Sequence, residues 1–484
     1  MKASEISAAV PGSRIRGEER EFSRLRADSR SVRPGDAFIA LKGSVTDGHR
    51  YIDAALKAGA QTVICNEGHP GLDSGITVVE VPDTKEALVR ILPCLFPHAR
   101  KVKLIGITGT SGKTTTTYLI ESILKAAGMN PGVIGTINIR YNGIATDSSV
   151  TTPGPVDLFE YLGTMGLSRV NACVMEVSSH SLDQERIMGL EFDCAIFTNL
   201  SHDHLDYHKD METYFQAKRK LFDRTYLKGR PVVNADDEFG RRLIEEVQGA
   251  ITFGRRPGAD ISIPSLRNTP KGLIMSLTTP MGEFPVRSSL MGEINACNIM
   301  AAVGAATALG IDRDSIIRGI EGLEHVPGRM EPVRNEHGLN IIVDYAHKPD
   351  ALKNVLTSAR GMTRGRLITV FGCGGDRDKT KRPVMGSIAA QSSDLVIVTS
   401  DNPRTEDPLA IINDVLQGIP DRTYVSVEPD REEAIRLGIA SMREDDCLVI
   451  AGKGHETYQI IGSDKRPFDD RKCVCKVLRE IYEA

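Results

Sequence analysis

The run KLIGIT, residues 103–108, leads directly into GTSGKTTTT, residues 109–117. A short apolar run bounded this way predicts a buried strand, then a glycine-rich turn, then a helix beginning near Lys113. Gly109 and Gly112 permit tight backbone geometry, so that the amides of Thr110, Ser111 and their neighbours approach phosphate oxygens closely. Lys113 suits the charge of β- and γ-phosphates. Thr114 offers its hydroxyl to Mg2+, with Thr115 beside it. The longer G-x-x-x-x-G-K-[ST] pattern is broken at its first position, where Ile107 stands, but the G-T-x-G-K-T core is intact. The competing reading is an ordinary strand-to-helix turn with an exposed lysine. Such loops serve ligases, kinases, motors and switches alike, so the reaction must be read elsewhere.

Apolar runs alternate with longer helical patterns over the whole chain, which predicts an α/β protein with mostly parallel sheets. At 484 residues there is room for about three domains. The first block, 1–99, holds DSRSVRPGDAFIALKG and the amphipathic YIDAALKAGA, and it exits through LFPHARKVK. The second, 100–330, holds the phosphate loop, the strand candidates NACVMEV and CAIFTNL, and a helix, MAAVGAATALG, that Gly310 closes. HVPGRMEPV is the second linker. The third, 331–484, repeats one pattern: NIIVDYAH, RLITVFGCGG, DLVIVTSDNPR and DCLVIAGKGHE are each a short apolar run ending in a polar loop. Ligands of open parallel sheets gather at the carboxyl ends of strands, so the chemistry is expected on these loops.

Sixty Lys plus Arg against 64 Asp plus Glu leave a formal charge of −4, which argues against nucleic-acid and membrane-surface partners. Any phosphate must then be held by local groups. No apolar run approaches the ~20 residues that span a bilayer, and the first residues lack the apolar core of a secretory signal. The nine cysteines show no framework spacing. Reduced thiols in a cytoplasm are expected.

Glu176 closes the NACVMEV strand, and TNLSHDHLDYH places His202, Asp203, His204, Asp206 and His208 after the next one. A hard divalent cation prefers oxygen ligands, which suits Glu176. The histidine-rich segment by itself suits zinc or a solvated loop. Lys218, in AKRKLF, reads by itself as one solvated cation among several.

GTSGKTTT, EVSSH, NLSHDHLDYH, the YFQAK run ending at Lys218, GRME, VDYAHKPDAL, FGCGGDRDKTKRP, DNPR and AGKGHE stand in the order found in the Mur ligases, and the chain resembles that family over all three blocks. The resemblance implies an N-terminal domain for a UDP-sugar, a central P-loop ATPase domain with a mostly parallel sheet, and a C-terminal Rossmann-like domain. It implies an ADP-forming amide ligase in which ATP phosphorylates a carboxylate and an amine attacks the acyl phosphate. Lys113, Glu176, His204 and Lys218 are then the catalytic group. Thr114, Glu176 and His204 would hold Mg2+, with Lys218 as a carbamate. Asn295, Arg329 and Asp344 match positions near adenine, phosphates and ribose, and His347 follows in the same loop. Lys348 departs from the small polar residue usual after that His.

For the UDP-sugar, implied to be UDP-N-acetylmuramoyl-L-alanyl-D-glutamate, the resemblance points to Ser29, Ser44, Val45 and Thr46 in the first block, and to Thr151, Thr152, Ser179, Gln184 and Arg186 in the second. Val150 replaces a family Asn, so no contact is expected there. A guanidinium such as that of Arg186 binds substrate carboxylates bidentately. Taken singly, each Ser or Thr is equally a turn or cap residue. Asp401, Asn402, Pro403 and Arg404 form DNPR, which in this family generally accompanies meso-2,6-diaminopimelate. Arg404 can pair with its extra carboxylate, whereas lysine would leave that cation unpaired. Arg377, Gly452 and Glu456 match further contacts, with Glu456 answering the distal ammonium. A lysine-adding relative, a folylpolyglutamate synthase-like ligase and a nucleotide switch are the alternatives. A monomer is the expected state.

Overall fold

The computed structural model describes residues 1–43, 46–68, 75–148, 150–269 and 271–482. Ser44 and Val45, expected in the UDP-sugar site, lie outside the described residues.

The first sheet is built from β1 (Arg14–Arg16), β2 (Leu25–Arg26), β3 (Ala37–Ile39), β4 (Thr62–Asn66) and β5 (Thr77–Val81), in the order β1-β5-β4-β3-β2. Its inner strands are parallel and β1 runs antiparallel on the edge. YIDAALKAGA contributes the helix Ile52–Lys57, which buries Ile52 and Ala55.

Eight strands form the central sheet: β6 (Lys103–Thr108), β7 (Pro131–Ile134), β8 (Asn138–Tyr141), β9 (Ile144–Asp147), β10 (Ala172–Glu176), β11 (Phe192–Phe197), β12 (Leu227–Asn234) and β13 (Ile251–Phe253). Their order is β13-β12-β11-β6-β10-β7-β8-β9. β6 sits in the middle, parallel to β10 and β11, so the turn after it emerges at the carboxyl edge between two neighbours. Two apolar clusters cover the two faces, and the middle strands read as nearly continuous apolar runs for that reason. The helix Glu293–Ala308 is buried on nearly every side. Gly310, at φ 72°, takes the left-handed turn after it, as expected of a helix-closing glycine.

The antiparallel sheet β14 (Ser262–Thr269), β15 (Gly272–Thr279) and β16 (Gly282–Ser288) was not foreseen from the sequence. Its signal is strict alternation: Leu273, Met275 and Leu277 are buried, as are Phe284 and Val286, while their neighbours are more exposed.

The last large sheet comprises β17 (Glu331–Pro332), β18 (Asn340–Asp344), β19 (Leu367–Phe371), β20 (Leu395–Val398), β21 (Val425–Val427) and β22 (Cys447–Ala451), ordered β17-β18-β22-β19-β20-β21. From β18 to β21 it is parallel, with helices on both faces. A hairpin, β23 (Tyr458–Ile461) and β24 (Asp464–Pro467), closes over its carboxyl edge. No helix among the described residues is long and apolar enough to cross a membrane.

Candidate active site

The turn after β6 opens the helix Lys113–Ala126 through Gly112, whose φ of 87° lies in the left-handed region. A Cβ there would stand 2.4 Å from Asn298 Oδ1, and one on Gly109 1.9 Å from Thr198 Oγ1. The residues after β11 brace the turn. Asn199 accepts from the amides of Thr110 and Ser111, each at 2.9 Å, and Thr198 Oγ1 donates to Ser111 O at 2.7 Å. Lys113 Nζ donates to Gly109 O at 2.8 Å and to Thr110 O at 3.1 Å. Burial lowers its pKa to about 8, with Glu176 opposing the shift.

Glu176, at the end of β10, is 1% exposed. Its Oε2 accepts from Thr114 Oγ1 at 3.1 Å and Thr136 Oγ1 at 2.9 Å, and its Oε1 from Thr136 N at 3.0 Å. Thr136, which sequence reasoning missed, extends a polar track. Its hydroxyl meets that of Thr151 at 3.1 Å, Thr152 Oγ1 donates to Glu176 O at 2.9 Å, and Arg186 Nη1 donates to Thr152 O at 3.0 Å. The rest of the Arg186 fork is held by Gln184 Oε1.

The histidine-rich segment is sorted by the fold. His202 and Asp206 are exposed. His208 is buried and shares a hydrogen bond with Ser179 Oγ at 2.9 Å. His204 adopts φ 52°, faces the cleft, and is neutral, since burial lowers its pKa to about 3. The zinc reading of this segment has no support: among the described residues no group of three or more His, Cys, Asp or Glu is placed to hold a metal ion.

Lys218 is not a solvated cation. It is 1% exposed, donates to Gly109 O at 2.9 Å, and lies 4.5 Å from the centre of the Tyr214 ring. Burial first, and Lys113 second, depress its pKa strongly.

The opposite wall comes from the helix Glu293–Ala308 and from the loops flanking β18. Asn295 donates to Met291 O at 2.7 Å and accepts from Asn298 at 2.9 Å. Asn298 was missed, although its i,i+3 spacing from Asn295 puts both on one helix face. Arg329 Nη2 reaches Thr114 Oγ1 at 3.3 Å, its guanidinium 4.6 Å from the Tyr345 ring centre. Asp344 is 6% exposed and accepts from the amides of Met330 and Ala346, each at 2.7 Å. Burial raises its pKa, with Arg329 opposing. Together these groups line one cleft of about 340 Å³, which also holds Thr110–Thr115, Thr151, His204, His347 and Lys348.

The DNPR residues form a second cluster outside that cleft. Asn402 donates to Glu456 Oε2 at 3.0 Å and accepts from Ile460 N at 2.9 Å. Lys453, fully buried and missed in the sequence, stands 3.2 Å from both Asn402 Oδ1 and Glu456 Oε2, and 3.6 Å from Asp401 Oδ1. A Cβ on Gly452 would lie 3.4 Å from Asp401 Oδ2. Arg404, with φ 52°, donates to Gly375 O at 2.7 Å, beside Pro403. Arg377 is exposed and bonded to Asp376 O. The ring contact of Tyr345 with His455, at 4.8 Å, connects this cluster to the cleft. Ser29, in the turn Ser29–Ser31, and Thr46, whose carbonyl accepts from Gly43, stand in connections between strands of the first sheet and do not line the cleft.

The sequence matches three family descriptions: Mur ligase family, catalytic domain, over residues 21–95; Mur ligase middle domain over 107–306; and Mur ligase, glutamate ligase domain, over 328–454. It is 47% identical over 454 residues to a UDP-N-acetylmuramoyl-L-alanyl-D-glutamate–2,6-diaminopimelate ligase of Gloeobacter violaceus, covering 93% of each chain. It is 44% identical over 486 residues to the ligase of that name from Geobacter metallireducens, covering 95% of each. A solved structure of a ligase of that name aligns with TM-score 0.70 at 33% identity, over 96% of both chains.

Proposed function

Because this chain belongs to the Mur ligase family, we propose that it is an ATP-dependent, ADP-forming ligase that joins meso-2,6-diaminopimelate to the glutamyl carboxylate of UDP-N-acetylmuramoyl-L-alanyl-D-glutamate. The observation that carries this reading is the pairing of two sites. A cleft with a phosphate loop, a buried carboxylate and a ribose-type Asp344 stands beside a second cluster that offers a guanidinium and a carboxylate to a zwitterion. A nucleotide switch has no use for the second cluster. The UDP-sugar block separates the chain from folylpolyglutamate synthases.

A carboxylate is a poor electrophile at neutral pH, and phosphorylation gives it a leaving group. The task left to the protein is positioning and charge neutralisation. The amides of Gly109–Thr115 cradle the phosphates, and Lys113 turns from its loop carbonyls to the β- and γ-oxygens. Asn295, Arg329 and Asp344 hold adenine, phosphates and ribose. Thr151, Thr152, Ser179, Gln184 and Arg186 seat the sugar-peptide, with Ser29 and Thr46 toward the uridine end.

The donors present fit Mg2+: a buried carboxylate beside a threonine hydroxyl leaves the other positions to phosphate oxygens and water. Thr114, Glu176 and His204 would hold it, and bound there it would neutralise charge between phosphate and acyl oxygen. Lys218 fits carbamylation, because CO2 reacts with a neutral amine and burial favours that form. The resulting anion would orient a second Mg2+.

In the second cluster, Arg404 pairs with the distal carboxylate of diaminopimelate and Glu456 with its distal ammonium. Asp401, Asn402, Pro403 and Gly452 shape the pocket, and Arg377 reaches the amino acid from the rim. The units 1–99, 100–330 and 331–484 carry UDP-sugar, ATP and amino acid respectively. A cytoplasmic monomer that engages neither nucleic acid nor membrane is the state this reading implies.

Phosphate release in the presence of UDP-sugar dipeptide, ATP and Mg2+ tests the reading. Turnover should require meso-diaminopimelate and respond weakly to lysine. Equal release with and without an amine sinks the ligase assignment, and equal use of lysine sinks the choice of amino acid.

A further inference from the structure

Lys348 belongs to none of the groups assigned above. It precedes the helix Pro349–Arg360 in the loop after β18, and it lines the cleft. That loop is braced from several sides. Asp344 accepts from Ala346 N at 2.7 Å, His347 Nδ1 hydrogen-bonds Tyr345 O at 2.8 Å, and Lys381 Nζ donates to His347 O at 2.8 Å. Lys348 is therefore a charged arm on a fixed base.

Its ammonium crosses the cleft to Asp203 Oδ2, forming an ion pair with a carboxylate that is only 10% exposed. The other oxygen, Asp203 Oδ1, accepts from His204 N at 2.8 Å. His204 holds the unfavourable left-handed backbone of this turn, and its carbonyl accepts from the amides of Tyr207 and His208. The links run from Lys348 through Asp203 to the backbone that aims His204. Most surface ion pairs contribute little, but this one is largely withdrawn from water and joined to a strained turn.

We propose that Lys348 is a positioning residue: docked across the cleft, it seats Asp203 and through it the His204 turn, so that the turn is ordered when the C-terminal sheet stands against the phosphate loop. For catalysis the inference rests on the ligase reading; the ordering itself does not.

Hydrogen–deuterium exchange of the full chain without substrates reads the ordering directly. Lys348→Met, of similar reach and no charge, should speed exchange of the amides of 204–208, Lys348→Arg should restore most of the protection, and the thermal midpoint checks folding. Asp203→Asn should speed exchange as well, and the double variant should add nothing to it, because both changes cut one chain of contacts. In turnover, Lys348→Met should lower kcat by ~10–100-fold, the scale of a small misplacement, with KM for diaminopimelate little changed. Parent-like exchange in Lys348→Met, or additive effects in the double variant, overturns the proposal. So does a loss of nucleotide affinity with exchange unchanged, since Lys348 would then act on the nucleotide directly. Absence of amine-dependent turnover in the parent would defeat the ligase reading and leave the exchange result to be judged alone.

Discussion

At the residue scale, the proposed choice of amino acid turns on Arg404. Its backbone is held in the left-handed region by a bridge to Ile461, and its guanidinium rests on Gly375 O. A distal carboxylate adds a charge-assisted partner to donors that meet the backbone carbonyls of Gly375 and Asn402. Arg404→Ala should therefore lower kcat/KM for diaminopimelate by about 2–3 kcal/mol, roughly 30- to 150-fold, with KM for ATP unchanged. Competition assays with lysine measure it: an unchanged ratio of diaminopimelate to lysine use would remove Arg404 from recognition. Lys453 shows what residue types alone conceal. It lies three residues before Glu456 in AGKGHE, yet only the fold reveals a fully buried cation between Asp401, Asn402 and Glu456.

At the scale of elements, the phosphate loop and the helix Glu293–Ala308 depend on each other, since Asn298 of that helix stands against Gly112. The helix is packed on nearly every side, and Gly304 lies so close to β12 that a Cβ would meet Val232 Cγ1 at 2.5 Å. Gly304→Val should overpack this contact and cost about 1–3 kcal/mol. A lower urea midpoint, with weakened nucleotide binding because Asn295 and Asn298 shift, is the expected result. A midpoint equal to the parent's would mean that the helix moves away freely. Elements with a strong local signal were legible in the sequence: KLIGIT became β6, and the predicted helix start at Lys113 matches the structure. The antiparallel insertion β14–β16 was not read, because two-residue alternation is easily lost among the parallel strands around it.

For the molecule as a whole, half-buried imidazoles steepen the response to acid. Burial lowers the pKa of both His347 and His455 to about 3, from an ordinary 6.5. Between those values the unfolded chain binds protons that the folded chain refuses. The stability at stake is fully present above pH 6.5 and is lost as pH falls toward 3. Each such group steepens the acid limb by up to ~1.4 kcal/mol per pH unit. Urea midpoints between pH 4 and 7 should fall with pH, and His455→Gln should flatten the fall. An equally steep profile in that variant would assign the acid sensitivity to other groups.

The order of the motifs, the alternation of apolar runs with helices and the strand–loop–helix around Lys113 are properties of the sequence by itself, because each rests on contacts between near neighbours in the chain. The α/β class, the family and the phosphate loop were all legible from them. What only the tertiary structure decided is which groups meet. It separated His204 from His202, Asp206 and His208, it brought Thr136 to Glu176, and it buried Lys218 and Lys453 although their neighbours in sequence suggest solvent. It also set Lys348 against Asp203, 145 positions away. Burial and long-range pairing determine charge state, and charge state depends on the low-dielectric surroundings that only the packed sheets create.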